Sequence, residues 1–516
     1  NALYNAGTSS WTAVNLVTGT GAILSVSVGN QSNAFTTADL DILAGAVGGP
    51  NGGYLGIDTT GATSGTFTYA TNLANPSNGN LLGIAKTGSG TLVLSGNNTF
   101  TGGVLVRQGT LRVTANTQLG TGTAVAAGGL LDMTGQTVTN PFAIQSGTIA
   151  NLSINASNLT ANVTGPAVFS GTLTGDTTTG TLTKTGTGTL VLSAANTYTG
   201  TTTLAGGLLS ISSDSNINGS GSPLTFNGGG LQVTGVSLTS LNTNRTTTFT
   251  SGVTATFDIA DPANSFTVSQ ALNQGTGGLT KSGSGTLVLT NANNTYTGAT
   301  TVAGGTLRMG ASNTSAIGAG TVLTTSGGVL DLNGNSISRS GLVTIAGGGV
   351  TNGTLTFTGS NVAGQSGVVS ANLVGTGTFG LTKSSTGVLV LSGSNSYAGL
   401  TTVSGSGGIL QFATPNSLYG GATGSWTKTN ITVNSAATLA VNVGGAGDFQ
   451  PTDVTTLLSG IGGALSGNGL LAGASIGFDT TNSGTAFTVG NVIANTTNSG
   501  TWTSAGAVGL VKLGSG

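Results

Sequence analysis

One motif recurs along this chain, and its repetition constrains the possible folds more than any other feature. Four complete copies begin at Gly83, Gly180, Gly278 and Gly380, and a fifth begins at Gly509. The first copy reads GIAKTGSGTLVLSGNNTFTGGVLVRQGTLRV. The aromatic residue inside the motif recurs at spacings of 98, 98 and 101 residues. A fixed period of this kind is the sequence signature of a repeat architecture, in which each unit packs on its neighbours.

The apolar residues inside the motif alternate with polar or β-branched ones. Leu92 and Leu94 occupy alternate positions of TLVL, and the other copies keep leucine at both positions. A period of two residues predicts strands with one buried face. Gly and Asn at the junctions predict turns, because both residues tolerate a positive φ. No segment shows an apolar helical stripe, so the sequence predicts an all-β chain.

Short strands separated by turns also occur in sandwiches, barrels and propellers. The length of the chain, the spacing of the copies and the lack of a break between them favour a solenoid. We therefore predict a right-handed parallel β-helix whose coils stack at about 4.8 Å, with about four coils in each repeat. Leucines and valines in register would form a continuous hydrophobic column along its axis.

The copies divide the chain into predicted units of one continuous solenoid. A longer period is also present, because residues 1–11 match residues 416–426, and Phe35 and Asp39 match Phe449 and Asp453. We expect an array that continues beyond both ends of this sequence. The predicted units are the end of a preceding unit at 1–82, four repeats at 83–179, 180–277, 278–379 and 380–508, of which the last has a tail resembling 1–82, and the start of a fifth at 509–516.

The composition argues against several classes of function. Only 4% of residues are charged, with 11 basic and 12 acidic side chains, and there is no His or Cys. Zinc sites built on His or Cys, histidine-based triads and disulfides are therefore excluded. Nucleic-acid binding needs a basic stripe, which scattered Arg residues do not supply. Apolar runs are too short for a membrane-spanning helix. We predict no cofactor, no metal and no nucleic-acid partner.

The repeated motif resembles the autotransporter-associated β-strand repeat found in passenger regions of bacterial autotransporters and in very large bacterial surface proteins. The resemblance rests on the pattern G-L-x-K-x-G-x-G-T-L-x-L-S-x-x-N-T-Y-T-G and on the following GGVLDLNG element from Gly327. It implies a right-handed parallel β-helix, export to the cell surface, and an adhesive or structural role. The chain departs from the family pattern in its long period, which suggests a fibre.

Lysine occupies one column of the repeat, for which two interpretations are open. The column could be a row of cations along the rod that binds anionic glycan or a neighbouring fibre. Alternatively, each lysine is a gatekeeper placed before an aggregation-prone TLVL strand, which is the interpretation we favour. The members of this column are Lys86, Lys184, Lys281, Lys383 and Lys512.

An aromatic and an asparagine column follow each TLVL strand. The aromatic residues could form a row on which sugars stack, but we favour packing over a turn. The asparagines, two residues earlier, are predicted to close that turn. The aromatic column is Phe100, Tyr198, Tyr296 and Tyr397, and the asparagine column is Asn98, Asn196, Asn294 and Asn395.

Two close pairs of acids are the candidates for catalysis or calcium binding. Asp39 and Asp41 would lie on the same side of a strand, and Asp258 and Asp261 form the second pair. Glycoside hydrolysis by the usual mechanism requires two carboxyl groups at a set separation. The match of Asp39 with Asp453 replaces Asp41 by Thr455, which weakens a paired role. We therefore predict no catalytic residues.

The preferred hypothesis is an extracellular β-solenoid rod on the bacterial surface that builds a fibre, stalk or matrix. Its expected partners are further copies of itself, by covalent continuation or head-to-tail stacking, and glycan or other cell-surface material. The second hypothesis is an adhesin passenger that binds host or glycan surfaces. A polysaccharide-active β-helix enzyme is the third and least favoured hypothesis.

Overall fold

The fold was analysed in a computed structural model, which describes most of the chain. Its contacts divide the chain into two compact units, Asn1–Thr248 and Phe249–Gly516, which are described separately below. The described residues are 8–12, 16, 18–29, 32–48, 52–138, 142–154, 158–173, 180–218, 221–273, 275–315, 317–318, 322–462, 468–490, 493 and 507–516.

The first unit consists of short strands and one α-helix. The helix, α1, is Thr37–Ala46. The strands, with β19 reaching Phe249, are β1 (Ile23–Ser27), β2 (Gly53–Asp58), β3 (Thr66–Tyr69), β4 (Leu82–Thr87), β5 (Thr91–Leu94), β6 (Val104–Val106), β7 (Thr110–Arg112), β8 (Ala124–Val138), β9 (Phe142–Ile154), β10 (Asn158–Asn162), β11 (Ala167–Phe169), β12 (Thr172–Leu173), β13 (Thr181–Thr185), β14 (Thr189–Leu192), β15 (Thr202–Leu204), β16 (Leu208–Ile211), β17 (Leu224–Phe226), β18 (Gly230–Val233) and β19 (Thr247–Phe249).

The described part of the second unit also contains strands and one α-helix. Its helix, α2, is Pro451–Ile461. Its strands are β20 (Ala255–Ile259), β21 (Ser265–Val268), β22 (Leu279–Ser282), β23 (Thr286–Leu289), β24 (Thr300–Val302), β25 (Thr306–Met309), β26 (Val322–Thr325), β27 (Val329–Asp331), β28 (Ser336–Arg339), β29 (Leu342–Thr351), β30 (Thr354–Phe357), β31 (Val362–Val369), β32 (Asn372–Gly375), β33 (Leu381–Lys383), β34 (Val388–Leu391), β35 (Thr401–Val403), β36 (Ile409–Phe412), β37 (Ile431–Val433), β38 (Thr438–Asn442), β39 (Gly469–Leu470), β40 (Ser475–Asp479) and β41 (Gly509–Leu513).

Strand pairing shows that each unit is a parallel β-solenoid. Within the repeat motif a strand pairs with the strand two places later in the chain, as β22 does with β24 and β23 with β25, and both pairings are parallel. The first unit repeats this order, since β13 pairs with β15 and β14 with β16. Within the motif each coil therefore supplies one strand to each of two columns of paired strands, and β28, β30 and β32 form a further parallel sheet in the second unit. This arrangement excludes the hairpin-built sandwich or barrel for these segments and confirms the predicted solenoid.

The register gives the length of a coil. Leu111 lies opposite Leu131, so that coil takes 131 − 111 = 20 residues. Leu307 lies opposite Leu330, so that coil takes 330 − 307 = 23 residues. All four side chains are fully buried. Stacking equivalent leucines at each coil removes their apolar surface from water, which contributes roughly 1.5–3 kcal/mol per side chain. The alternation in the motif thus predicted the inward face correctly.

The two α-helices are a correction to the all-β prediction. They lengthen the coils that contain them, because Leu24 lies opposite Leu55 and Leu439 opposite Ile476, at offsets of 31 and 37 residues. Helix α1 begins with a capping box, in which the Asp39 backbone N–H donates to Thr36 Oγ1 and the Asp39 carboxylate accepts from the Thr36 N–H. Two backbone N–H groups at the start of the helix, which have no partner within the helix, are hydrogen-bonded in this way. These bonds stabilise the first turn.

Glycine is required where the chain turns between the two columns of paired strands. Gly207 and Gly305 have φ values of +55° and +56°, in the left-handed region that disfavours residues with a Cβ. A Cβ at Gly207 would also lie 2.2 Å from the Gly188 carbonyl oxygen of the preceding coil. The positive φ and the close approach of the preceding coil therefore both disfavour any residue other than glycine at Gly207.

None of the helices in the described residues is long and apolar enough to cross a membrane. The repeat-unit boundaries and the right-handed winding stay predictions.

Candidate functional site

The lysine column lies inside the solenoid. Lys86, Lys184, Lys281 and Lys383 are fully buried, and only Lys512 is exposed. The interpretation of the column as a row of surface cations is therefore wrong for these four residues. The gatekeeper role during folding stays a prediction.

Three of the four buried ammonium groups bind backbone carbonyls of two consecutive coils, while Lys383 donates to the Ser385 carbonyl of its own coil. Lys281 Nζ donates to the carbonyl oxygens of Ser282 at 2.5 Å and Gly283 at 2.9 Å in its own coil, and of Gly304 at 3.1 Å in the next coil. Lys86 and Lys184 each make the same three contacts, to residues one and two places later and to a residue 22 places later. In these three lysines the three N–H bonds of the ammonium group are thus all used, and each is directed at a backbone carbonyl.

Burial changes the ionisation of these lysines. Loss of hydration lowers the pKa of Lys86, Lys184 and Lys281 to about 8, and nearby Asp58 and Asp258 act in the opposite direction on Lys86 and Lys281 respectively. Burial also lowers the pKa of Lys383. A folded-state pKa below the unfolded value means that the unfolded chain binds more protons between these two values.

We expect the solenoid to become more stable between pH 8 and pH 9.5, by about 1–2 kcal/mol for each of Lys86, Lys184 and Lys281. Above pH 10 the trend should reverse, because burial raises the pKa of Tyr198 to about 12 and the unfolded chain then loses protons first. Urea unfolding at pH 7, 8.5, 9.5 and 11 measures this curve. A stability that stays level or falls between pH 8 and pH 9.5 would contradict the prediction.

The asparagine column connects three consecutive coils. Asn395 Oδ1 accepts from the Leu373 N–H of the preceding coil at 2.9 Å, and its Nδ2 donates to the Ser417 carbonyl of the following coil at 2.7 Å. Asn98 makes the equivalent bonds to Leu73 and Gln118 at 2.8 and 2.6 Å. Both asparagines are buried. The predicted role in closing a turn is therefore incomplete, since the side chains also bridge neighbouring coils.

The remaining two members of the asparagine column follow the same pattern. Asn196 accepts from the Leu173 N–H at 2.7 Å and donates to the Asn216 carbonyl, and Asn294 accepts from the Leu272 N–H at 2.8 Å. The asparagine side chain of this column therefore makes a hydrogen bond between neighbouring coils in every repeat.

The aromatic column is buried as well. Phe100 and Tyr296 are fully buried, and Tyr198 and Tyr397 are exposed to only 2%. An aromatic ring enclosed by the solenoid has no face available to a sugar, so the sugar-stacking interpretation is wrong. The interpretation that we favoured, packing over a turn, stays a prediction, and the burial shows that the rings lie inside the coil.

The tyrosines and a threonine four residues later vary together. The Tyr198 hydroxyl hydrogen-bonds Thr202 Oγ1 at 2.5 Å, and Tyr296 and Tyr397 make the same bond to Thr300 and Thr401. In the first copy Phe100 replaces tyrosine, and Val104 stands at the position of the threonine. Both polar groups are therefore lost together, as expected when a buried hydroxyl needs a partner.

The Tyr198–Thr202 pair gives a direct test. We expect Tyr198→Phe and Thr202→Val each to lower the free energy of unfolding by about 1–2 kcal/mol, because each leaves one buried hydroxyl unpaired. The double variant recreates the Phe100–Val104 arrangement and should lose less than the sum of the two. A double-mutant cycle by denaturant unfolding measures the coupling. Strict additivity would show that the hydrogen bond has no role in stability.

A third set of paired positions lies on the outer face. Arg112 Nε lies 2.9 Å from Asp132 Oδ2, and Arg308 Nε lies 2.7 Å from Asp331 Oδ2. In each case the two residues are opposite each other on neighbouring coils. The repeat from Gly180 has Ser210 at the position of these arginines. Ion pairs with a half-exposed arginine contribute little to the free energy of unfolding. These pairs therefore favour the observed alignment of neighbouring strands rather than adding much stability.

Sequence analysis missed two buried arginines. Arg245 forms an ion pair with Asp214 at 2.9 Å and donates to the Ile217 carbonyl at 3.0 Å. Arg339 donates to the Ile317 carbonyl at 3.2 Å in the second unit. The comparison of copies gives no common signal for them, because Arg245 follows Ile217 by 245 − 217 = 28 positions and Arg339 follows Ile317 by 339 − 317 = 22 positions.

The acids of the first candidate pair make local hydrogen bonds. Asp39 and Asp41 lie on helix α1 rather than on a strand, and Asp39 is the helix-capping residue. Its match Asp453 caps α2 by accepting from the Gln450 N–H at 2.9 Å. Asp41 instead accepts from the Tyr69 hydroxyl at 2.5 Å. The pairing of Asp39 with Asp453 across the long period is therefore explained by helix capping.

The second acid pair is also occupied by local bonds. Asp258 accepts from the Ser282 hydroxyl at 2.9 Å, and Asp261 accepts from the Ala263 N–H at 2.9 Å within a turn. In the part of the chain that the structure describes, no three or more His, Cys, Asp or Glu residues are grouped so that they could hold a metal ion.

Two comparisons relate the repeats to known proteins. The Passenger-associated-transport-repeat family matches residues 84–113, 182–211, 279–309 and 381–412, which contain the asparagine column and four of the five lysines of the lysine column. The Adhesin BmaC autotransporter of Brucella suis biovar 1 (strain 1330) is 32% identical over 405 residues, which are 72% of this chain. The aligned part is 10% of the length of that relative. No solved structure matches. The chain thus carries four passenger-associated-transport repeats and is homologous to an autotransporter adhesin.

Proposed function

We propose that this chain is a length of an exported, cell-surface passenger, in which it acts as the load-bearing solenoid rod of a fibre, stalk or matrix. The proposal includes right-handed winding and the absence of catalytic activity. It rests on one observation above all, which is that the buried polar columns join successive coils. Asn395 alone bonds both the preceding and the following coil.

These bonds suit a rod that resists pulling along its axis. Each coil is held to the next by parallel strand pairs, and an asparagine amide in each repeat and a lysine ammonium group in three of the four repeats add bonds between neighbouring coils. Surface charge adds little, since 4% of residues are charged and the net charge is −1. A rod of this kind depends only weakly on salt, because few exposed charges are available to be screened.

The second candidate is an adhesin passenger that itself binds host or glycan surfaces. The observation that favours it is the homology to a protein named as an adhesin autotransporter. The two candidates differ in where the binding contacts lie. In a rod they lie elsewhere in the protein, whereas in an adhesive passenger they lie on this chain.

A competition experiment separates them. Cells that display the whole protein are allowed to attach to host-cell or matrix surfaces in the presence of the purified 516-residue chain. For a rod we expect no inhibition, while removal of whole coils from the displayed protein should reduce attachment. Saturable binding of the purified chain, with inhibition of attachment, would contradict the rod and support the adhesin. Turnover of uronic-acid polymers by the chain would contradict the proposed lack of catalysis.

A further inference from the structure

An open groove on the first unit combines polar side chains with an unpaired cation. It has a volume of about 390 Å³ and is lined by Ile23, Ser25, Thr87, Arg107 and Gln108. Ile23 and Ser25 belong to β1, Thr87 ends β4, and Arg107 and Gln108 follow β6. The groove thus joins the helix-containing coil to the first repeat.

Arg107 is unusual among the basic residues. It is exposed, and among the described residues it is the one basic side chain whose charged group has no hydrogen bond or ion pair. Its guanidinium group therefore keeps all of its donors available in the groove. A planar guanidinium group binds a carboxylate through two parallel hydrogen bonds.

The neighbouring side chains supply further hydrogen bonds. Ser25 Oγ and Thr87 Oγ1 lie 3.0 Å apart and bond each other, which uses one hydroxyl proton and leaves the other free to donate. The side chain of Gln108 can donate and accept. Ile23 provides an apolar surface at one side. A sugar ring presents hydroxyl groups and an apolar C–H face, so this combination suits a sugar better than a simple anion.

The solenoid does not need these residues at their positions. Ala205, Ala303 and Ser404 occupy the position of Arg107 in the other repeats, and the backbone N–H of each makes the same bond to the lysine carbonyl of the preceding coil. In the second helix-containing segment, Ala440 stands at the position of Ser25 and Leu513 at that of Thr87. The polar groups are therefore a property of this groove and not of the coil.

A second cavity differs from the groove at Arg107, because few of its polar groups are available to a ligand. It has a volume of about 270 Å³ and is lined by residues that include Asp41, Tyr69, Asn72 and Asn75. Here the polar groups already bond each other or the backbone, as the Tyr69 hydroxyl does to Asp41 and Asn72 Oδ1 does to the Asn97 N–H. Few donors remain for a ligand.

We propose that the groove at Arg107 binds an acidic sugar, with the guanidinium group on the sugar carboxylate and Ser25, Thr87 and Gln108 on the ring hydroxyls. The two proposals fail separately, because the rod is contradicted only by saturable binding to host-cell or matrix surfaces together with inhibition of attachment, whereas this site is tested with a soluble sugar alone.

Titration of the 516-residue chain with tetragalacturonate, followed by calorimetry, tests the proposal. The fully methyl-esterified tetramer is the matched ligand without charge. We expect binding of the acid form that weakens at least about tenfold in Arg107→Gln, because a charge-assisted bidentate bond is lost. Arg112→Gln is the matched control. It removes the same charge from an arginine that is 49% exposed but already paired with Asp132, and should leave the affinity within about twofold of wild type.

Four results would overturn the proposal. They are no binding of the acid tetramer, equal binding of the methyl ester, equal weakening by Arg112→Gln, and displacement by inorganic phosphate at the same concentration as the tetramer. The last would identify a site for small anions rather than for sugars. Because Arg107 is exposed, its variant is expected to fold, and an unchanged circular dichroism spectrum and melting temperature check this.

Discussion

Lys281→Met is expected to lower the free energy of unfolding of the coils around it by about 3–5 kcal/mol. Methionine fills nearly the same space but donates no hydrogen bond. The carbonyl oxygens of Ser282, Gly283 and Gly304 would then be left without the partner that now binds all three. Since Gly304 belongs to the next coil, the loss should extend beyond the coil that carries the substitution.

Native-state hydrogen exchange measures this effect locally, which suits a repeat protein whose unfolding need not be two-state. Amides of β22, β24 and the coils next to them should exchange faster in the variant. Arg107→Met is the control, because Arg107 is an exposed cation whose charged group makes no hydrogen bond or ion pair among the described residues, and we expect a change within about 0.5 kcal/mol. Equal effects of the two substitutions would show that the carbonyl contacts do not stabilise the coil.

The inward position of this lysine could be predicted from the sequence more sharply than it was. Leu279 and Lys281 stand at alternate positions of β22, so the period of two that places Leu279 inside places Lys281 inside too. The charge suggested a surface position, because lysine is rarely buried without a partner. The partner was invisible in the sequence, since it consists of backbone carbonyls that converge only when two turns stack.

The strands and their faces were predictable because the alternation repeats in every copy. The helices were not, although Thr36 and Asp39 form a recognisable capping box before Leu40 and Leu43. Helix α1 is short and contains neither Glu nor Lys, so its intrinsic preference for helix is weak and tertiary packing decides. Its buried face includes Leu40 and Leu43.

The groove at Arg107 could not be predicted from the sequence, for a different reason. Its residues come from three strands or turns separated by up to 108 − 23 = 85 positions in the chain, and only the parallel register brings them together. Arg107 also stands outside every repeated column, so the comparison of copies that revealed the lysines and asparagines passes over it. Positions that the copies share carry the bonds that hold the coils together. Positions that differ among the copies, such as Arg107, are not required by the coil.

Asn395→Asp is the second substitution with a large expected effect. The introduced carboxylate can still accept from the Leu373 N–H, but it cannot donate to the Ser417 carbonyl and would face that oxygen with a negative charge. Asn395 is fully buried, so the charge would also lose its hydration. We expect the free energy of unfolding to fall by about 3–5 kcal/mol at pH 7.

The pH dependence of this variant distinguishes a lost donor from a general packing defect. Burial and the facing carbonyl should raise the pKa of the introduced carboxyl group above its unfolded value, so the penalty is present at neutral pH and shrinks as the pH falls through the folded pKa. Once protonated, the group can donate to Ser417. Urea unfolding of wild type and variant between pH 4 and pH 7 should therefore converge at the acid end.

Asn293→Asp provides the matched control for this comparison. Asn293 lies in the equivalent loop of the preceding repeat, one residue before a buried asparagine, and its own side chain is exposed. It should change stability by less than about 0.5 kcal/mol at either pH. If Asn395→Asp were as mild as this control, or equally destabilising at both ends of the pH range, the amide would not be the bond that joins the coils, and the load-bearing role built on it would lose its main support.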